Sequence, residues 1–191
     1  MAEVIHAYVV IHVCFNEIAM LYRTFYSKRN LSKWFEMHSS DLVAGSSTIK
    51  RRQVPVEGPV AFYAAKSNTQ ANLGINQPIS FKTVVVNLGN GFHSGHSLFI
   101  APRTGVYLFA STIMTNPTSP VEVHAAITVN GNTVARIYGH GDSGRHDQGA
   151  QTVLVKLNIN DEVDVTNIDR EHEDVYGGLY SSFSGVLLYD L

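Results

Sequence analysis

FKTVVVNLGNGFHSGHSLFIAPRTGVYLF, residues 81–109, carries the pattern that decides the fold. Its last part continues as Gly105-Val106-Tyr107-Leu108-Phe109-Ala110-Ser111-Thr112-Ile113. Val106, Leu108 and Ala110 face one way, and Tyr107, Phe109 and Ile113 the other. Period two in a run rich in β-branched and aromatic residues reads as a strand. Both of its faces are apolar. One can serve a core; the other needs cover, which in a single small domain usually comes from another subunit. Tyr107 and Phe109, with Phe183 from the last strand, are accordingly expected at an interface between copies.

The same texture runs outward from this stretch. Residues 79–87 (ISFKTVVVN) read as one strand, and 122–129 (EVHAAITV) alternate Val123, Ala125, Ile127 and Val129 against polar or small partners. Asn130-Gly131 follows at once, then 133–138 (TVARIY). Asn-Gly between alternating runs is a strong hairpin signal, because both central residues of a type I′ turn take positive φ. Further strands are expected over 151–157, 162–168 and 183–189, with Asn160-Asp161 as a turn. No helical period of useful length follows residue 60. Many short antiparallel strands make a sandwich or jelly roll.

Residues 1–38 differ. Val4, Tyr8, Ile11, Phe15, Ile18, Tyr22 and Phe25 are spaced alternately by four and three, the seam of an amphipathic helix or short coiled coil. His6, His12, Asn16 and Glu17 interrupt the apolar run at 4–22, which is too polar for a transmembrane helix and lacks the basic start and cleavage site of a signal peptide. Residues 39–57 read as a linker, with Gly45-Ser46-Ser47 and the basic Lys50-Arg51-Arg52. Residues 58–191 form the globular domain.

The chain has 191 residues, 45% hydrophobic and 16% charged, which is ample for a core and argues against intrinsic disorder. A formal net charge of -2 gives no electrostatic ground for nucleic acid or an anionic membrane as partner. The single cysteine, Cys14, excludes a disulfide framework within one chain. Asn30-Leu31-Ser32 is a glycosylation sequon if the chain is secreted.

The segment 81–109 resembles the signature of the C1q domain. Phe81, Asn87, Phe92, Phe99, Gly105, Tyr107 and Phe109 stand at that signature's intervals, and Ser111 replaces its final aromatic. Val60-Ala61-Phe62-Tyr63-Ala64 resembles the family's first strand and residues 182–189 its last. The resemblance implies an all-β, ten-stranded antiparallel jelly roll, shared with tumour-necrosis-factor-like ligands, carrying an N-terminal helical extension. It further implies an extracellular homotrimer that recognises glycans or microbial surfaces in innate immunity and requires no cofactor. A cerebellin- or TNF-like signalling ligand for a protein receptor is the rival reading. Some trimers of this kind hold calcium beside the strand at 122–129. Here Glu122 and Asn130 are the nearest oxygen donors and the expected aspartates are not evident, so calcium stays an open alternative.

The loops carry the remaining chemistry. Gly141-Asp142-Ser143-Gly144 matches the nucleophile stretch of trypsin-like proteases, yet Arg145 follows where that family has glycine. His124 has the wrong neighbours for the catalytic base. No enzyme is expected. His140, Asp142, Arg145 and His146 on one loop, with Arg170, His172 and Tyr176 on another, form the candidate ligand site. Arginine forks a carboxylate and tyrosine stacks on a sugar face, so an acidic glycan suits them.

Overall fold

The computed structural model describes residues 57–117, 122–142 and 144–191. The helical segment expected over 1–38, nearly all of the linker and Ser143 lie outside the described residues. The rest is strand and turn. The elements are β1 (Ala61–Ala65), β2 (Gln70–Leu73), β3 (Thr83–Leu88), β4 (Phe92–His93), β5 (Leu98–Ile100), β6 (Gly105–Met114), β7 (Glu122–Val129), β8 (Asn132–His140), β9 (Gln148–Leu157), β10 (Glu162–Asn167), β11 (Glu173–Val175) and β12 (Ser182–Asp190).

Two five-stranded sheets, ordered β3-β1-β12-β6-β9 and β4-β5-β10-β7-β8, supply the ten strands of an antiparallel jelly-roll sandwich, and β2 pairs with β11 apart from them. The Asn130-Gly131 turn joins β7 to β8 with φ of 50° and 76°, as its type requires. One expected strand changes course. Ile79 is not in β3: its N–H donates to Val165 O at 2.8 Å and Pro78 bridges to Thr166. The chain therefore lies against the second sheet until Thr83 and only then joins the first. The buried side chains of Ile79 and Phe81 hold that crossing in the core.

The core is a stack of rings. Phe62 lies 4.6 Å from Phe92 and 4.9 Å from Phe183, centroid to centroid, and Phe109 lies 5.2 Å from Phe99. Such offset and edge-on pairs stabilise by about 0.5–1.5 kcal/mol each beyond the area they bury. Gly185 makes the stack fit. It is the register partner of both Phe62 and Phe109, and a Cβ there would stand 2.6 Å from each ring. Asn87 closes the β3–β4 turn reciprocally: its Nδ2 donates to Phe92 O at 2.9 Å, and Phe92 N–H donates to its Oδ1 at 3.2 Å. Tyr107 Oη donates to Arg103 O at 2.7 Å, so the one polar atom on that ring is satisfied.

Tyr107, Phe109 and Phe183 are each 0% exposed, between the sheets of one chain. The expectation that they form an interface between copies is therefore corrected. Alternation correctly separated two faces of β6, but the aromatic face turns inward. The outward face carries Val106, Leu108 and Ala110, all half-buried. Directly opposed residues in an antiparallel sheet share a side. Pairings Leu88↔Ala61, Ala61↔Val186, Val186↔Leu108 and Leu108↔Leu154 thus draw one apolar row across all five strands. Val86 and Tyr63 extend it on the β3–β1 side.

Candidate functional site

One end of the sandwich gathers the loops singled out above. The end of β6, the starts of β7 and β9, the end of β8 and the short β11 all meet there, around Thr115. Thr115 N–H donates to Asp147 O at 2.9 Å, and Asp147 N–H donates to Thr115 Oγ1 at 2.9 Å. His146 Nδ1–H donates to Thr115 O at 2.6 Å, and Thr115 also bridges to Val175. The 139–149 and 169–179 loops are both tied to this one residue. Gly149 is required where the first loop enters β9, because a Cβ there would meet Tyr138 O at 2.3 Å.

The seven candidate residues fall into separate groups around that anchor. His146 and Tyr176 come together, with ring centroids 4.3 Å apart and Tyr180 6.1 Å beyond. His140 and Arg170 share a carboxylate: Glu122 Oε1 lies 3.1 Å from His140 Nδ1 and Glu122 Oε2 lies 2.6 Å from Arg170 Nη1. Tyr138 Oη is 2.9 Å from the same His140 nitrogen. His172 Nδ1–H donates to Asn72 Oδ1, outside both groups, while Asp174 receives Asn72 N–H and Asn116 Nδ2. Asp142 and Arg145 stand exposed at the loop tip, joined by Arg145 N–H to Asp142 O at 2.8 Å. Arg170 already gives part of its fork to Glu122, so a ligand carboxylate would compete for it.

A pair that the sequence reading passed over lies beside this site. Glu173 is buried and receives both His124 N–H (2.7 Å) and His124 Nδ1–H (2.6 Å). Burial raises the Glu173 carboxyl above its ordinary pKa, opposed by these two hydrogen bonds. The pair fixes β11, in the middle of the 169–179 loop, to β7. His124 also packs 5.0 Å from Tyr138. His124 stands in the apolar EVHAAITV run and Glu173 lies 49 residues further on, so no local sequence signal marks the pair.

Calcium does not fit the donors available on β7. Glu122 is engaged by His140 and Arg170, while Asn130 Nδ2 donates to Asp161 Oδ1 and Asn130 Oδ1 receives Glu162 N–H. Glu122 is the first residue of the eight-residue β7 and Asn130 directly follows its last, placing them about 25 Å apart at roughly 3.3 Å per residue. Among the described residues no three His, Cys, Asp or Glu converge into a metal-binding group.

Comparison with known proteins defines the class. Residues 61–188 match the family described as C1q domain, and the chain belongs to that family. It is similar to the complement C1q tumor necrosis factor-related protein 3 of Mus musculus, 31% identical over 141 residues covering 72% of this chain and 54% of the relative. The Homo sapiens counterpart is 30% identical over the same span. Caprin-2 of Danio rerio is 32% identical over 133 residues, 68% of this chain and 14% of the relative. The chain spans about half the length of the first two of these relatives. In fold it is similar to the globular domain of zebrafish complement 1qA protein, with a TM-score of 0.57 and 15% identity over 69% of this chain and 99% of that one. It is equally similar to the Eiger TNF of S. frugiperda, with a TM-score of 0.57 and 13% identity over 70% of this chain and 94% of that one.

Proposed function

We propose that this chain is a secreted, homotrimeric C1q-domain recognition protein that binds glycans or microbial surfaces through the loop end around Thr115, as a binding module and not an enzyme. The observation that carries the assembly is the apolar row Leu88–Ala61–Val186–Leu108–Leu154. Leu154 is 60% exposed and Leu88 48% in the lone chain. A continuous apolar strip across five strands is the kind of surface that another copy covers. At the loop end, Tyr176 and Tyr180 offer ring faces to a sugar, and Arg145 offers a charged fork with no ion pair among the described residues.

A second reading, a signalling ligand for a protein receptor, is favoured by the names of the curated relatives, which are C1q and tumor necrosis factor-related. A glycan array and a whole-bacterium binding assay, run beside a screen of cell-surface receptors, separate the two. Binding to a glycan or microbe that falls in Tyr176→Ala and Arg145→Ala supports the recognition reading. Silence on every glycan and microbe, with tight binding to one cell-surface protein, supports the second.

A further inference from the structure

Lys66 is the buried charge that nothing above uses. It directly follows β1, and its residue is 3% exposed. Its ammonium has three donors. Two go to neutral acceptors, Gln70 Oε1 at 2.8 Å and Ser80 O at 3.1 Å. Gln70 cannot swing away, because its Oε1 also receives Ser80 N–H at 2.8 Å and its Nε2 donates to Pro78 O at 3.2 Å. No carboxylate pairs with Lys66 or Lys82 among the described residues. A buried cation held by neutral groups alone is unfavourable unless a counter-charge reaches it.

A cavity of about 310 Å³ opens where that counter-charge would sit, lined by Lys66, Lys82, Ser67, Asn68, Thr69 and Gln70. Thr69 Oγ1 receives Gly177 N–H at 3.3 Å, which leaves its own hydroxyl proton free to donate. The backbone around it is fixed: Gly178 N–H donates to Ser67 O and Leu179 N–H to Lys66 O, each at 2.8 Å. The volume lies at the lower end of the range for small-molecule sites, roughly 300–1,000 Å³.

We propose that this cavity is an anion subsite that takes the carboxylate of an acidic monosaccharide, with Lys66 and Lys82 as its charged contacts and the Ser67–Thr69 hydroxyls on the sugar. The choice of a sugar rests on the glycan reading above; the anion site itself rests only on the uncompensated lysine and the cavity. The site is distinct from the His146–Tyr176 group.

The full-length protein, titrated with N-acetylneuraminate and followed by NMR of the lysine side chains, tests it. The expected result is a saturable shift of the Lys66 signal at an affinity on the order of 1 mM, absent with neutral N-acetylmannosamine and unchanged in Tyr176→Ala. Lys82→Ala, at an exposed position, should weaken binding severalfold, and Lys66→Met should abolish it. Affinity should also decline as the pH rises through about 8, where Lys66 loses its proton. Acetate or sulfate binding at Lys66 without N-acetylneuraminate overturns the choice of an acidic sugar. No saturable shift with any of the three anions, or binding unaltered in Lys82→Ala and Lys66→Met alike, overturns the site. Loss of glycan-array binding in Tyr176→Ala, with the Lys66 shift intact, leaves this subsite standing apart from the loop-end reading.

Discussion

Truncating Phe109 to alanine separates a core role from an interface role. The ring is fully buried and lies 5.2 Å from Phe99, 5.9 Å from Phe183, 6.0 Å from Tyr107 and 6.3 Å from Phe62. Removing it deletes a ring from the centre of an aromatic stack whose neighbouring members sit on β6 itself and on three other strands, β1, β5 and β12, and cannot all collapse into the gap. Losses for Phe→Ala in such settings are about 3–5 kcal/mol, a large part of the roughly 5–15 kcal/mol that holds a domain together. With a urea slope near 2 kcal/mol per molar, the midpoint should fall by about 2 M. Equilibrium urea unfolding followed by tyrosine fluorescence and far-ultraviolet circular dichroism measures it. A loss below about 1 kcal/mol, accompanied by dissociation into folded single chains, is the pattern of an interface residue and would refute the reasoning.

Three further outcomes follow from the same geometry. Gly185→Ala should destabilise by about 1–3 kcal/mol, since its methyl would have to enter the space of Phe62 and Phe109; thermal unfolding shows it, and a neutral result would mean the rings give way. Asn87→Ala should cost about 1–2 kcal/mol by leaving Phe92 N–H and O unpaired at the β3–β4 turn, with local loss of amide-exchange protection at Phe92. The pH dependence of Lys66 has a definite sign. Burial first, and then Lys82, lowers its pKa to about 8 from the ordinary 10.5, so between those values the unfolded chain binds more protons than the folded one. Its contribution to stability therefore rises with pH across that window, and the urea midpoint of wild type relative to Lys66→Met should climb from pH 7.5 to pH 10.

Much of the fold was legible because the residues that spell the family signature are the ones that build the core. Phe81, Phe92, Phe99, Tyr107 and Phe109 are buried, and Asn87 makes a turn closure that needs an amide side chain. None of them touches the loop end. Alternation along β6 revealed two apolar faces but carried no sign to say which was internal. Gly185 held that information: a glycine opposite Phe109 marks the side where large rings crowd, but only once the β12–β6 register is known. β4 and β5, two and three residues long, are too short for any period to register.

The loop end was partly legible for a related reason. His140, His146, Arg170 and Tyr176 stood out as polar residues in turn-rich stretches. Their partners did not. Glu122 meets Arg170 across 48 residues and His124 meets Glu173 across 49, and separations of that size leave no mark in local sequence. Nothing local in the sequence marks Lys66 as buried, because its burial depends on how the segments at Gln70 and Ser80 fold over it.

The claim on which the account rests is that the outer face of the β3-β1-β12-β6-β9 sheet joins copies of this chain. Sedimentation equilibrium of the full-length protein at micromolar concentration, beside its Leu108→Lys variant, tests it directly. The account predicts a mass of three chains for the wild type and of one folded chain for the variant, since a lysine at the middle of the apolar row would be buried without a counter-charge. A wild-type mass of one chain, or a three-chain mass that Leu108→Lys leaves intact, would contradict it.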